Sequence, residues 1–295
     1  MTDNLKIHIN TAQLKYDISL LLPTWNNLDF LKLCIESIRK NSHLNLQIIV
    51  FVNEGKDGTI EWLSGQSDID YLISPINLGI CYALNLCRSI VKSDYVMYLN
   101  DDMYVLPEWD KILMQEIAKL NTNMFMLSAT MIEPNETGNP CVVVNSFGTS
   151  PANFAEDSLL EEYGNLIRND WSGSTWPPNI VHISLWDIVG GLSVEFSPGM
   201  YSDPDFSRKL YEAGVRIFKG VGNSLVYHFG SKTTKRLTKN KGRQIFLRKW
   251  GITPRTFTKE FLHIGEEYNI LPKTFGVSTK SRILNKIKQM ADLLK

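Results

Sequence analysis

The sequence predicts an α/β protein with a mostly parallel sheet flanked by helices. Strand-length apolar runs alternate four times with segments of helical periodicity between Ile18 and Leu99. This alternation is typical of parallel strands joined by crossover helices. The chain has 295 residues, 43% of them hydrophobic, which is enough for one large domain with a sizeable core.

The first half divides clearly into strands and helices. A buried strand at Ile18–Leu22 is expected to end at Pro23, and apolar residues at helical spacing follow between Leu28 and Arg39. Thr59 is expected to cap a second helix, after a turn cluster. The remaining predicted elements are strands at 47–52, 71–73 and 95–99 and a helix at 80–91.

The second half has weaker periodicity. Segment 130–185 is rich in loop-forming residues, and we assign no element there. We expect a helix at Pro204–Ala213 with Asp203 as its N-cap, and a last strand at Ser224–His228. These elements predict a domain over residues 1–255, followed by a C-terminal helical extension at 256–295.

Four polar clusters follow the four predicted strands. Because ligands of parallel α/β sheets bind beyond the carboxyl ends of the strands, these clusters predict a nucleotide site at one edge of the sheet. The clusters are Thr24–Asn27, Asn53–Asp57, Ser74–Gly79 and Asn100–Asp102.

The adjacent carboxylates Asp101 and Asp102 indicate a divalent cation. Two carboxylates at a strand end repel each other, and a cation would relieve that repulsion. Mg²⁺ and Mn²⁺ prefer oxygen ligands and commonly bind one or two carboxylates together with substrate phosphates. A turn without metal is the alternative, since Asn and Asp favour turns.

Charge and cysteine content exclude several classes of protein. Lysine plus arginine and aspartate plus glutamate both total 31, so nucleic acid is not an expected partner. The four cysteines have no zinc-like spacing and are expected to be reduced thiols in a cytoplasmic protein. The N-terminus does not resemble a signal peptide, and no apolar run is long enough to span a bilayer.

The order of several short motifs resembles that of family 2 glycosyltransferases, which have the GT-A fold. The resemblance runs from Ile18 to about Gly251, most of the chain. The matching motifs are Pro23-Thr-Trp-Asn26, Val52-Asn-Glu-Gly-Lys-Asp-Gly-Thr59, Asn77-Leu-Gly79 with Asn85, Leu99-Asn-Asp-Asp102, Gly190-Gly191, Asp203-Pro-Asp205 with Arg208, His228 and Lys249-Trp-Gly251. Two departures stand out, because Asn53 replaces the usual aspartate and Ser202 replaces a frequent glutamate.

The resemblance implies a metal-dependent, inverting transfer of sugar from a nucleotide-sugar donor, UDP-linked by preference, to a glycan or lipid-linked glycan. It implies a nucleotide-sugar-binding half at about 16–105 and an acceptor-binding half at about 106–255. Asp102 and His228 would bind manganese or magnesium, and Asp203 would be the catalytic base. The implied donor-binding residues are Pro23, Thr24, Trp25, Asn26, Asn53, Asn77, Gly79, Asn85, Asn100 and Asp101.

Several assignments have alternatives. Asp205 is the second candidate for the base, although pairing with Arg208 would make it structural. Trp186, Gly190 and Gly191 are candidate acceptor contacts, since an aromatic face suits a sugar ring. Lys232, Lys235 and Arg236 would either contact the diphosphate or form a solvated loop. A nucleotidyltransferase or a non-catalytic sugar-binding module remains as an alternative function.

The basic tail, Lys280–Lys295, has apolar residues at helical spacing. Such a helix either rests on an anionic membrane or packs on the catalytic domain. The first alternative would place a cytoplasmic protein on the inner face of the plasma membrane.

Overall fold

The computed structural model describes residues 5–10, 15–230, 240–269 and 276–294. Within these ranges the strands belong to one sheet. They are β1 (Lys6–His8), β2 (Ile18–Trp25), β3 (Leu46–Asn53), β4 (Ile69–Ser74), β5 (Tyr95–Tyr98), β6 (Met103–Val105), β7 (Phe125–Glu133), β8 (Val143–Val144), β9 (Trp171–Ser172), β10 (Asn179–His182) and β11 (Ile217–His228). The helices are α1 (Leu28–Asn41), α2 (Thr59–Ser64), α3 (Gly79–Cys87), α4 (Trp109–Leu120), α5 (Glu156–Glu162), α6 (Ile183–Val189), α7 (Ser202–Glu212), α8 (Gly242–Trp250), α9 (Pro254–Glu260) and α10 (Thr279–Leu293).

The sheet is mixed but mostly parallel, as expected. Its order is β1-β4-β3-β2-β5-β10-β7-β11-β6, with β8 beside β7 and β9 beside β11. The block β4-β3-β2-β5 is parallel, and so is the pair β7-β11. Strand β10 joins the two parallel parts and runs antiparallel to both of its neighbours. The predicted α/β class, with helices flanking a mostly parallel sheet, is confirmed.

Strand β2 extends past Pro23, so the predicted end of this strand was wrong. Pro23 pairs with Phe51 of β3, while the pairing of β2 with β5 extends only to Leu21. Beyond Leu21, β2 therefore has a strand partner on one side only. A residue without an N–H group is tolerated where no strand requires that donor. The longer strand carries Thr24 and Trp25 to the edge of the sheet.

Two helix starts also differ from the predictions. Helix α7 begins at Ser202, one residue before Asp203, and Tyr201 occupies the N-cap position with φ 71°. Helix α2 begins at Thr59 itself, after Gly58 with φ 90°. In both cases the residue before the helix has a positive φ, and this left-handed backbone conformation sets where the helix starts. The residue type that follows does not reveal that conformation.

The loop-rich middle contributes strands that its sequence did not indicate. Strand β10 lies wholly in segment 130–185 and β7 lies partly in it, and β7 is buried along all nine residues. Ser128 and Thr130 interrupt the apolar residues of β7, and β10 has only two apolar residues, so neither forms the continuous apolar run that marks β3. The last strand, β11, is also longer than expected, beginning at Ile217.

Two hydrophobic clusters cover the faces of the sheet. One joins α1 and α4 to the sheet, and the other joins α3, α7, α8 and α9 to its opposite face. Phe257 of α9 belongs to the second cluster, as do Leu21 of β2 and Phe246 of α8. The predicted boundary between residues 255 and 256 falls inside α9, a helix that packs into the main core.

Candidate active site

One cavity of about 780 Å³ opens at the carboxyl ends of the central strands. Residues of the β2 end and the β5–β6 turn form one side, including Pro23, Asn100, Asp101 and Asp102. Residues 198–204 form a second side, and His228 lies at the end of β11. The fold thus brings together groups that are more than two hundred residues apart in the sequence, as expected for a parallel sheet.

The acidic residues Asp101 and Asp102 lie in the tight turn between β5 and β6. Both are buried, with 8% and 6% of their surface exposed. Burial and the nearby carboxylates, with Asp203 and Asp102 foremost, raise the pKa of the Tyr98 phenol well above its usual value. The cavity therefore has a strongly acidic inner end.

His228 lies between two carboxylates. Its Nδ1 is 2.8 Å from Glu133 Oε1, and its Nε2 is 3.4 Å from Asp102 Oδ1. Burial lowers the pKa of His228, but the negative charges of Asp102 and Glu133 outweigh burial and raise that pKa to about 10. In this state the ring is protonated and neutralises part of the acidic end.

Asp102 and His228 fit a divalent cation as a pair. Two neighbouring ligands of an octahedral ion, each about 2.1 Å from the metal, lie roughly 3 Å apart, close to the observed 3.4 Å. Glu133 on the other ring nitrogen matches the carboxylate that typically orients a metal-binding histidine. Within the described ranges no three His, Cys, Asp or Glu side chains form a complete metal site. Phosphates and water would have to supply the remaining ligands.

Asp203 lies in the first turn of α7 and lines the cavity. Burial raises its pKa from the usual acidic range to about 7. A carboxylate with such a pKa can accept a proton near neutral pH, which is the property required of a general base.

Asp205 does not line the cavity, although it is only two residues away. It is completely buried, and its Oδ1 accepts a hydrogen bond of 2.7 Å from Trp250 Nε1. Its other oxygen accepts bonds from Ser193 and Lys249. The expected partner was wrong, because Arg208 pairs with Glu212 and stacks over aromatic rings instead. All these contacts give Asp205 a structural position.

The expected donor residues divide into two groups. Pro23, Asn100 and Asp101 line the cavity, whereas the other seven do not. Trp25 and Asn26 both donate to Glu54, and the buried Asn53 accepts a bond of 2.8 Å from the Leu78 N–H. The hydroxyl of buried Thr24 has no partner among the described residues.

Asn77 and Gly79 shape the start of α3. The Asn77 side chain accepts from the Gly79 N–H, and Gly79 has φ +74°. A Cβ at Gly79 would lie 2.5 Å from the Cα of Pro198, which belongs to the cavity wall. Only glycine permits this contact, so Gly79 sets the position of that wall.

Asn85 and the three candidate acceptor residues form a cluster away from the cavity. Asn85 exchanges two hydrogen bonds with the Leu192 backbone. Trp186 is 5% exposed and packs on Phe206, and a Cβ on Gly191 would clash with both Asn85 and Trp186. Neither Trp186 nor Gly190 lines the cavity. This location corrects the idea that Trp186 offers an open aromatic face, because core packing covers it.

Other residues line the cavity instead. They include Trp176 and, from α9, Arg255 and Thr258. Arg255 is exposed and is the one lysine or arginine among the cavity-lining residues that the structure describes. The run Trp176-Pro-Pro178 was a visible sequence signal, whereas nothing in the sequence linked Arg255 to the site. Lys232, Lys235 and Arg236 lie outside the described residues.

This protein has a mostly parallel sheet with a carboxylate-rich cavity beyond the carboxyl ends of its strands. That arrangement is typical of α/β proteins that bind nucleotides or similar ligands at this end of the sheet. The comparisons with known proteins identify the family. Residues 19–154 match the family model described as glycosyl transferase family 2. This part of the chain therefore matches glycosyl transferase family 2, and the recognition from motifs is confirmed.

Two curated relatives are polysaccharide synthases. Hyaluronan synthase of Pasteurella multocida is 25% identical over 234 residues, which are 78% of this chain and 22% of the relative. Chondroitin synthase of Pasteurella multocida (strain Pm70) is 24% identical over 228 residues, 76% of this chain and again 22% of the relative. The chain thus spans 22% of the length of either synthase.

Solved structures of S. aureus TarS share the fold. TarS 1–349 aligns with a TM-score of 0.54 at 14% identity, covering 72% of this chain and 60% of that chain. The complex of TarS 1–349 with UDP-GlcNAc aligns with a TM-score of 0.53 at 14% identity, covering 73% and 61%. These similarities support the GT-A assignment of the fold.

Proposed function

We propose that this protein transfers a sugar, with inversion, from a nucleoside diphosphate sugar to an acceptor hydroxyl. A UDP-sugar is the favoured donor, and the acceptor is a growing glycan or lipid-linked glycan in surface polysaccharide or lipopolysaccharide assembly. One observation carries the proposal. A single cavity holds the Asp102–His228 pair at its inner end and, on another wall, an aspartate whose pKa is raised to about 7.

The relatives support the proposed donor and product. The hyaluronan and chondroitin synthases are named for glycan products, and a TarS structure contains UDP-GlcNAc. In this chain the nucleotide would lie along the edge formed by Pro23 and Asn100. Asn53 offers no charge to a base, and its carbonyl oxygen accepts from Leu78, so its contribution to base selection would be indirect.

In the proposed reaction Asp203 accepts the proton of the acceptor hydroxyl as the new glycosidic bond forms. An alcohol is a poor nucleophile at neutral pH, and a positioned base makes its oxygen reactive in the transition state. The nucleoside diphosphate leaves from the opposite face of the sugar carbon, so the configuration inverts. Asp205 is the second candidate for the base, although its oxygens bond to Trp250, Ser193 and Lys249.

Asp102 and His228 would hold the manganese or magnesium ion, with Glu133 orienting the histidine ring. When bound, the ion would supply positive charge that stabilises the departing diphosphate. A neutral His228 is required for binding through nitrogen, so the ion and a proton would compete for this ring.

The part of the cavity lined by Trp176, Arg255 and Thr258 would receive the acceptor. Trp176 offers an aromatic surface, Thr258 a hydroxyl, and Arg255 an exposed cation. Arginine recognises carboxylates and phosphates through paired hydrogen bonds. An acceptor with an anionic group near its reactive hydroxyl would therefore fit this part best. Trp186, Gly190 and Gly191 do not line the cavity, so their part in acceptor binding would be indirect.

A panel of nucleotide sugars, scored by release of nucleoside diphosphate with and without manganese, tests this function. The expected result is metal-dependent release from one UDP-sugar, accelerated by the correct acceptor. Release of pyrophosphate from a nucleoside triphosphate would instead indicate a nucleotidyltransferase, and binding without turnover a non-catalytic module. Proton NMR of the first product tests the stereochemistry, since an α-donor that yields an α-linked product excludes single displacement.

We also propose peripheral contact with the inner face of the plasma membrane through residues 280–295. Within the described residues, no helix is both long and apolar enough to span a bilayer. Contact would therefore depend on a surface element, and α10 is the candidate.

A further inference from the structure

Helix α10 packs on the rest of the protein through its polar side. Asn285, 3% exposed, accepts hydrogen bonds from the Thr253 N–H and the Thr256 hydroxyl. Gln289 donates to the Gly251 carbonyl, and buried Asp292 pairs with Arg248. The inward positions 285, 289 and 292 recur at helical spacing, so one polar face makes these contacts.

The apolar side of the same helix faces solvent. Ile283, Ile287, Met290 and Leu294 are 56%, 56%, 66% and 88% exposed. Their spacings of four, three and four residues place them in one row along the helix. The usual amphipathic arrangement, with the apolar face on the core, is thus reversed. Such a row is expected to bury itself against another surface, because exposing large apolar side chains to water is unfavourable.

The charges beside this apolar row have one sign. Lys280, Arg282, Lys286 and Lys288 are all exposed, and the one acidic residue of the helix, Asp292, is buried and paired. A second copy of this helix would bring like charges together and be repelled. An anionic lipid surface matches both features, since acyl chains receive the apolar row and headgroups neutralise the lysines.

The position of α10 relative to the cavity links this surface to the acceptor. Thr253 and Thr256 bond to α10, while Arg255 and Thr258 of the same short helix α9 line the cavity. Helix α9 and the body of α10 therefore lie between the cavity and the apolar row, and a helix with its side chains is about 10–12 Å across. A membrane held by α10 would lie roughly 20–24 Å from the cavity wall that α9 forms, the width of these two helices.

We propose that α10 is an interfacial anchor that lies on an anionic bilayer with its apolar row inward and brings lipid-linked acceptors to the cavity mouth. The statement about acceptors rests on the proposed glycosyltransferase function, whereas membrane binding does not. Binding depends on the apolar row and its flanking lysines alone.

Vesicle flotation of the full chain tests the anchor. The expected result is binding to phosphatidylcholine vesicles that contain phosphatidylglycerol and little binding to pure phosphatidylcholine. Ile287→Gln and Met290→Gln should each lower the partition constant about tenfold, because one apolar side chain no longer enters the interface. Lys286→Gln should lower it about fivefold, the effect of one basic residue near an anionic surface. The matched control is Ile167→Gln, an equally exposed isoleucine outside the helix, which should bind as the original protein does.

Two results would overturn the anchor. The first is equal flotation of the original protein and the Ile287→Gln and Met290→Gln variants. The second is no flotation together with a concentration-dependent dimer that Ile287→Gln abolishes, which would assign the row to a second copy. Hydrolysis of the nucleotide sugar without vesicles should be unchanged in these variants, because the row lies outside the cavity. Loss of hydrolysis in every protein would contradict the proposed function and leave the vesicle result intact.

Discussion

At the scale of single residues, burial separates two aspartates that the sequence places side by side. Asp203 lines the cavity and has a pKa near 7, whereas Asp205 is completely buried and bonded to Trp250, Ser193 and Lys249. The difference arises because positions two apart on a helix face different sides. One carboxylate is therefore available to a ligand, and the other holds α7 to α8.

Asp203→Asn should lower turnover by about a hundredfold to ten-thousandfold, the usual contribution of a general base. The amide preserves the size of the side chain but cannot accept the proton. Donor affinity should change little, because the base faces the acceptor. Steady-state kinetics with donor titration give both quantities. Near-normal turnover in this variant, combined with an inactive but folded Asp205→Asn, would move the base to Asp205.

The pKa of Asp203 also predicts how stability depends on pH. An unfolded aspartate has a pKa of about 3.9, so between that value and about 7 the folded state binds the extra proton. The contribution to the free energy of unfolding is full below about pH 4 and is lost as the pH rises through about 7. Urea unfolding across this range should show a decline that Asp203→Asn reduces. A decline of equal size in both proteins would argue against the raised pKa.

Glu133→Gln should weaken manganese binding about tenfold to hundredfold, the usual effect of removing a carboxylate that orients a metal-binding histidine. Glu133 contacts His228 through Nδ1 and leaves Nε2 directed toward Asp102. Calorimetry with manganese and UDP measures the affinity. His228→Ala and Asp102→Ala should lose more, because each removes a proposed ligand. Unchanged affinity in all three variants would place the metal elsewhere.

At the scale of elements, the contact between α7 and α8 depends on a buried charge. Lys249 of α8 is 3.0 Å from Asp205 Oδ1 and also contacts Glu195. Removing the cation would leave the Asp205 carboxylate buried with only its neutral partners Trp250 and Ser193. A buried charge without its counter-ion lowers the stability of the folded state. The contact between Lys249 and Asp205 therefore fixes how α8 packs against α7, the helix that carries Asp203.

Lys249→Met should therefore lower the free energy of unfolding by roughly 3 kcal/mol, the usual cost of breaking a buried ion pair. Adding Asp205→Asn to that variant should restore part of the loss, because the unpaired charge disappears. Urea unfolding of the two single variants and the double variant forms a complete cycle. Strictly additive losses would show that the two residues are not energetically coupled.

At the scale of the whole molecule, the site collects residues from both halves of the chain. Asp102 lies in the first half, whereas His228 and Asp203 belong to the second half. A ligand that bridges these residues binds only the folded state. It should therefore stabilise the domain as a unit.

UDP with manganese should raise the free energy of unfolding by about 2.7 kcal/mol at a ligand concentration one hundred times its dissociation constant. The measurement is thermal unfolding with UDP, with GDP at the same concentration, and with manganese alone. A larger shift with GDP than with UDP would contradict the preference for uridine. Asp102→Ala should lose the stabilisation in all mixtures that contain manganese.

The sequence by itself determined the parallel half of the sheet and the acidic turn after β5. Apolar runs, helical spacing and polar clusters at strand ends are local signals, so they can be recognised in the sequence without knowledge of the fold. The motif order was also sufficient to identify the glycosyltransferase family. By contrast, Ser128 and Thr130 interrupt the apolar residues of β7, and β10 has only four residues, so neither strand shows the long apolar run that reveals β3.

Only the tertiary structure decided which of the candidate residues reach the cavity. Burial covers Trp186 and bonds Asp205 internally, while Trp176 and Arg255 line the cavity from distant parts of the chain. The same applies to α10, whose apolar stripe is visible in the sequence although its outward direction is not. Periodicity defines the two faces of a helix, but which face meets the protein depends on the partners that packing supplies. Here Asn285 and Asp292 find such partners, and the apolar row does not.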